Sequence, residues 1–310
     1  MSALRLGTRR SALALAQSQL VAEAITATTG AEVTLVPITT HGDVTRDSLA
    51  SIGGTGVFVS ALRDALLVGE IDLAVHSLKD LPTAPVADLE LVAVPERADP
   101  RDALVARDSM TLQTLPPGAK VGTGSPRRAA QLKTVRPDLD VVDIRGNVDT
   151  RIGLVDSGAV DAVVLAKAGL QRLGRLDVVT ETLDPTVMLP APGQGALAVE
   201  VVSHAAGDDR HALLRQLDDP ATRAAVTAER AVLAELDAGC SAPVGALGVV
   251  SELGFSEPEL TVEAMVASTD GGSVTRMSTT SPVGDAEAAG RQLAARLLAS
   301  VEPVTSREHL

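Results

Sequence analysis

The single cysteine of the chain, Cys240, stands in the run Leu236-Asp237-Ala238-Gly239-Cys240-Ser241-Ala242-Pro243. One thiol cannot close an internal disulfide or build a multi-cysteine zinc site, so it is either a small buried apolar residue or a reactive handle. Gly239 before it and Pro243 after it place it on a loop, just past an expected helix end near Asp237, and chemistry concentrates on loops. That setting is wrong for a protease nucleophile, because a helix C-terminus with Glu235 and Asp237 nearby disfavours the thiolate. It suits a thiol that captures one very reactive electrophile once.

The carboxylate best placed for acid–base work is Asp80, in the polar turn His76-Ser77-Leu78-Lys79-Asp80-Leu81-Pro82 that follows an apolar run. Its plain alternative is an ion pair with Lys79. His76 reads as a strand-end structural residue rather than a base. Arg9, Arg10, Lys79, Arg127, Arg128, Arg145, Arg151 and Arg172 all fall at or near expected strand ends, the edge at which open α/β sheets take their ligands. Any one alone reads equally as a surface ion pair. Eight in phase with the topology point to a ligand with several carboxylates or phosphates, since each charge-assisted hydrogen bond is worth about 1.5–3 kcal/mol. Three of the turns, Thr8 to Ser11, His76 to Asp80 and Gly122 to Arg128, feed helix N-termini, which attract anions.

Other chemistries lack their signatures. Gly122-Thr123-Gly124-Ser125 misses the third glycine of a dinucleotide fingerprint, and no phosphate-binding Gly-x-x-x-x-Gly-Lys-[Ser/Thr] loop is present. The five histidines show no metal-binding spacing, so no metal is expected. A net charge of −13 and 1% aromatic residues argue against a nucleic-acid binder, which needs a basic face and stacking platforms. Arg9-Arg10 resembles the start of a twin-arginine signal, but the apolar run breaks at Gln17-Ser18-Gln19, and Leu13, Ala16, Leu20 and Ala24 share one face of a helix. No stretch reaches the length of a membrane span, and the expected compartment is the cytoplasm, where a free thiol survives.

The positioning elements follow from periodicity. Strands are expected over 4–8, 33–38, 71–75 and 89–94, with helices from Ser11 and over 59–68; the glycine-rich stretch 42–56 reads as a mobile flap. After a charged break over 96–102 the alternation starts again, with strands ending at Val121, Ile144 and Leu165, which suggests a second α/β domain. In it Ser125 is placed to cap a helix whose first turn holds Pro126. The Pro/Gly segment 189–195 marks a crossing, and 197–201 returns to the first domain. Asp219-Pro220 opens a helix to about Leu236, followed by strands near 244–250, 260–266 and 274–280 and a closing helix over 285–300.

Taken together, Arg9-Arg10-Ser11, His76 to Pro82, Gly122 to Arg128, Arg145-Gly146-Asn147-Val148-Asp149-Thr150-Arg151, Gly193-Gln194-Gly195-Ala196 and Gly239-Cys240 closely resemble the porphobilinogen deaminase (hydroxymethylbilane synthase) family, over nearly the whole chain. The resemblance implies two α/β domains like those of periplasmic binding proteins, with a crevice between them, and a small C-terminal α+β domain. The expected division is 1–95 with 196–216, then 96–195, then 217–310. It implies a dipyrromethane cofactor joined by a thioether to Cys240, with Ser77, Lys79, Thr123, Ser125, Arg127 and Arg128 holding its carboxylates. Asp80 would be the catalytic carboxylate, and Arg9, Ser11, Gln17, Arg145, Arg151, Arg172 and Gln194 would handle the incoming ring and the chain.

The reaction implied is the head-to-tail condensation of four porphobilinogen molecules with loss of ammonia, followed by hydrolytic release of hydroxymethylbilane. A monomer is expected, with the product passed to uroporphyrinogen-III synthase. One Asp would serve every condensation while the carboxylates outnumber the arginines, so the growing chain is expected to move past Asp80. The sequence departs from the family at His41, Ser51 and Thr55, where basic residues are usual, and at Gly124, where a Ser is usual. Two other classes remain open on the residues themselves. A carboxylate-binding module would have no use for Cys240, and a cysteine hydrolase would need a His closer to it than His204 or His211.

Overall fold

The computed structural model describes residues 3–38, 56–203, 209–237, 242–251, 258–268 and 272–300. Cys240, His41 and residues 42–55 of the expected flap, Ser51 and Thr55 among them, lie outside the described residues.

The first sheet is built from β1 (Leu4–Thr8), β2 (Val33–Pro37), β3 (Leu73–Ser77), β4 (Leu89–Ala93) and β10 (Leu197–Val202), in the order β2-β1-β3-β10-β4. β1 runs parallel to β2 and β3, whereas β10 is antiparallel to both β3 and β4. Helices α1 (Ala12–Thr29) and α2 (Gly56–Leu67) make the crossovers. Strand residues Leu4, Leu6, Leu73, Val75 and Val199 bury one face against Val21, Ala22 and Ile25 of α1. α6 (Asp209–Leu214) adds Leu214 to the same core.

The second sheet repeats this plan with β5 (Asp102–Ala106), β6 (Lys120–Gly122), β7 (Asp140–Val142), β8 (Ala162–Ala166) and β9 (Glu181–Thr182), in the order β7-β6-β8-β5-β9. Its helices are α3 (Pro126–Val135), α4 (Val148–Asp156) and the short α5 (Lys167–Arg172). Again three strands are parallel, and the fourth, β5, is antiparallel to β8 and β9. In each sheet the antiparallel strand arrives from the other sheet, so the chain crosses between them twice. In the sequence Asp102 stands at the end of a charged break. In the structure it opens β5 at 0% exposure, and a buried strand of Ala, Leu and Val shows no alternation to announce it.

The C-terminal unit is an antiparallel meander, β11 (Val244–Ser251), β12 (Glu259–Ala267) and β13 (Val274–Pro282), with α7 (Pro220–Glu235) and α8 (Ala286–Ser300) packed on one face. Asp219 caps α7 by accepting from Thr222 N–H at 2.7 Å, with Pro220 in the first turn, as its sequence demands. The helices pack closely because Gly290 presents no side chain to the Ala228 carbonyl, where a Cβ would collide. Glu229 of α7, fully buried, binds this unit to both crossings. Its carboxylate accepts from Arg97 Nη1 and Nη2 at 2.6 and 3.0 Å, from Gly193 N–H at 2.6 Å and from Gly248 N–H at 2.8 Å. Among the described residues no helix is long and apolar enough to cross a membrane.

Candidate active site

Sheet register locates the crevice. β10 starts with Leu197 opposite Ser77, at the carboxyl end of β3, and β5 starts with Asp102 opposite Ala166, at the carboxyl end of β8. Both crossings therefore enter at the ligand edge of their sheets. They touch one another there, for a Cβ on Gly195 would lie 2.5 Å from the Ala98 carbonyl oxygen, and Gly195 has a φ of +90° that glycine alone adopts without strain.

On the first side, β3 runs into a 3-10 turn at Leu78–Asp80. Leu78 is fully buried, its N–H donates to Ala196 O at 3.1 Å, and Leu81 N–H closes the turn on Leu78 O at 3.1 Å. The backbone at Gly193 packs against Leu78 and Lys79 from the second crossing. Ser77 accepts from Gln17 Nε2 of α1 at 2.8 Å. Behind the turn, buried His76 points Nε2 to within 3.3 Å of Glu200, whose carboxylate also receives Arg63 at 2.8 Å, so His76 occupies a structural place beneath the site. Asp80 itself, half-buried, accepts no side-chain hydrogen bond among the described residues. Burial pushes the Lys79 ammonium down to about 8, with Asp80 and Asp102 opposing that shift and Arg128 and Arg127 adding to it. Lys79 thus feels charges from both sides of the crevice.

On the second side the dominant feature is a carboxylate the sequence reading did not select. Asp102 accepts four hydrogen bonds: Arg127 Nη2 at 2.8 Å, Arg128 Nε and Nη2 at 3.1 and 2.7 Å, and Gln194 Nε2 at 2.9 Å. Burial alone would raise its carboxyl, but the two guanidiniums outweigh that and hold it down to about 2. Arg127 and Arg128 are themselves 3% and 5% exposed, and their remaining bonds go to Leu189 O and Val164 O. Arg127 Nε and Gln194 Oε1 are buried without a hydrogen-bond partner among the described residues. The signal for Asp102 was its place directly before the apolar run Ala103-Leu104-Val105-Ala106.

The turn before α3 corrects one expectation. Ser125 occupies the N-cap position but makes no side-chain cap bond; its own N–H donates instead to Thr123 Oγ1 at 3.2 Å. Pro126 has no N–H, and the next amides of the first turn have no intrahelical partner, so the turn keeps donors for an anion. A Cβ at Gly124 would lie 2.7 Å from Ile144 O, which leaves no room for the side chain usual in the resembled family. Ser11, by contrast, does cap its helix, accepting from Ala14 N–H at 3.3 Å.

The remaining cations divide. Arg172 donates to Gly195 O at 2.5 Å, and burial pushes its guanidinium down to about 10. Arg151 donates Nε to Gly146 O at 2.8 Å and is lowered by burial first and then by Arg128 and Arg145. Arg145 stands apart, with 68% of its side chain exposed and its guanidinium 3.0 Å from an equally open Asp143. Arg9 is half-buried at the carboxyl end of β1.

The donor-rich crevice can be set beside known proteins. A family model described as "Porphobilinogen deaminase, dipyromethane cofactor binding domain" matches residues 4–209, and "Porphobilinogen deaminase, C-terminal domain" matches 223–299. The chain belongs to the porphobilinogen deaminase family. "Porphobilinogen deaminase 1" of Streptomyces coelicolor is 58% identical over 305 residues, covering 96% of this chain and 95% of that one. The porphobilinogen deaminase of Thermobifida fusca is 58% identical over 298 residues, covering 94% and 91%. Among solved structures, a periplasmic substrate-binding protein of an ABC transporter from Coxiella burnetii is similar at 16% identity and a TM-score of 0.43, covering 71% of this chain and 94% of that one. The activity is accordingly porphobilinogen deaminase, that is hydroxymethylbilane synthase, in porphyrin and haem biosynthesis, and the larger part of the chain is a dipyrromethane cofactor-binding domain.

Proposed function

We propose that Asp80 is the acid–base group for each condensation of porphobilinogen, that Cys240 carries the dipyrromethane through a thioether, and that the crevice between the two sheets holds the carboxylates. One observation carries this reading: at the ligand edge Asp102 is saturated by hydrogen bonds, whereas Asp80 has none on its side chain among the described residues and sits beside the cations.

The residues suit an acidic cofactor. Arg127 Nε is a buried donor without a partner, the first turn of α3 keeps its amides, and Lys79 brings a third cation close to Arg127 and Arg128. Ser77, Lys79, Thr123, Ser125, Arg127 and Arg128 would hold the cofactor's carboxylates. When bound, the cofactor supplies the free pyrrole carbon to which a new ring is joined. Asp80 stabilises the cation left on the substrate as ammonia departs, and then takes the ring proton released after the bond forms. Arg9, Ser11, Gln17, Arg145, Arg151, Arg172 and Gln194 steer the incoming ring and the lengthening chain, their charges matched to its acid groups. Asp102 keeps two arginines charged and correctly turned in a place that would otherwise disfavour them.

The same reading takes the chain as a cytoplasmic monomer divided at 1–95 with 196–216, 96–195 and 217–310, releasing hydroxymethylbilane to uroporphyrinogen-III synthase. Intact mass spectrometry of the purified protein, with a chromogenic test for pyrroles, decides the anchor. The protein is expected to exceed its sequence mass by one dipyrromethane, and Cys240→Ser to lack it. Active protein at the bare sequence mass would overturn the reading.

A further inference from the structure

The turn that carries Asp80 is gripped from outside its own sheet. Val226 of α7 packs with Leu78 and Leu81 in one apolar cluster, so this helix of the C-terminal unit sits directly on the turn. One helical turn further on, Arg230 reaches the same place: Nη1 donates to Leu81 O and Nη2 to Pro82 O, both at 2.8 Å. The two carbonyls are the ones that immediately follow Asp80. Pro82 has no N–H with which to tie this segment to a neighbour, so beyond the packing of Leu81 and its N–H bond to Leu78 O the guanidinium holds the exit of the turn. α7 in turn is fixed by Glu229, the residue before Arg230, which binds Arg97, Gly193 and Gly248. In sequence the same helix leads on to Cys240.

We propose that Arg230 is a positioning residue for Asp80: by clamping the Leu81 and Pro82 carbonyls to α7, it fixes where the Asp80 carboxylate stands relative to the unit that bears Cys240. The proposal rests on the reading of Asp80 as the acid–base group. A planar guanidinium spans two carbonyls at a set spacing, whereas an ammonium grips one, so Lys is only a partial substitute. Misplacing a catalytic group by about 1 Å costs on the order of 100-fold in rate, so even partial loosening of the turn is expected to register in turnover.

The test compares full-length Arg230→Gln and Arg230→Lys with the unaltered enzyme and with Asp80→Asn, scoring kcat and KM for porphobilinogen and the cofactor-loaded fraction by intact mass. Per loaded molecule, kcat is expected to fall about 10-fold or more in Arg230→Gln and about three-fold in Arg230→Lys, with KM within about two-fold. A merely structural role would lower yield, melting temperature or loading and leave kcat per loaded molecule unchanged, and that result overturns the proposal. Should Arg230→Gln fail to fold, Arg230→Lys decides on the same criterion. If Asp80→Asn turns over normally, the reading of Asp80 fails; if it is inactive while the Arg230 variants turn over normally, the proposal alone fails.

Discussion

Two aspartates stand at the ligand edges of two sheets with one topology, and their surroundings are opposite. Asp102 is fully buried and receives two arginines and a glutamine. Asp80 is half-buried on a three-residue turn, and its carboxylate takes no hydrogen bond among the described residues. The first is chemically spent, its charge committed to keeping Arg127 and Arg128 in place. The second retains its capacity for a proton or a cation. On the proposed reading, one fold used twice separates the holding of an acidic ligand from the chemistry performed on it.

Removing the committed carboxylate is expected to have the largest effect on stability. Asp102→Asn leaves two buried guanidiniums without their counter-charge, a loss of about 3–5 kcal/mol, read as a lower urea midpoint. An unchanged midpoint would break the comparison. Its pH dependence has a definite sign. The Asp102 carboxyl is held down to about 2 from 3.8, so its contribution is complete above pH 3.8 and is lost as pH falls through about 2. Asp102→Asn should abolish that acid-side slope in unfolding titrations.

Lys79 sharpens the comparison from the other bank of the crevice. Its pKa lies at about 8 rather than 10.5, so it is charged below pH 8 and neutral above. The melting-temperature gain of the cofactor-loaded enzyme over unloaded Cys240→Ser should therefore shrink as pH passes from 7.5 to 9, and Lys79→Arg should flatten that loss. A profile that is identical in the variant would place the titration elsewhere. The smallest effect concerns Arg145: its exposed pair with Asp143 is worth about 0–1 kcal/mol, and on the proposed reading Asp143 competes with a substrate carboxylate for the same guanidinium. Asp143→Asn should lower KM about two-fold with kcat unchanged; a higher KM would show that Asp143 orients Arg145 rather than competing with substrate.

Much of this was legible in the residues. The strand ends, the Ser11 and Asp219 caps and the polar turn at Asp80 follow from local rules, and the structure places them accordingly. What escaped is non-local. Asp102 looks like surface charge in a run of charges, and only the pairing of β5 with β8 brings it to a buried edge facing Arg127 and Arg128. Glu229 and Arg230 sit in an ordinary-looking helix, and their meaning comes from Gly193 and Leu81, residues of remote segments. The Ser125 expectation failed because a capping signature fixes the position of a residue but not the partner of its hydroxyl.

The proposed reading of the crevice depends on the unsaturated carboxylate of Asp80 performing the chemistry. Turnover of porphobilinogen by purified Asp80→Asn, measured beside its melting temperature, tests it most directly. A loss of about 100-fold or more in kcat with melting unchanged is expected, in the range of removing a positioned acid–base group. Turnover within a few-fold of the unaltered enzyme would contradict it.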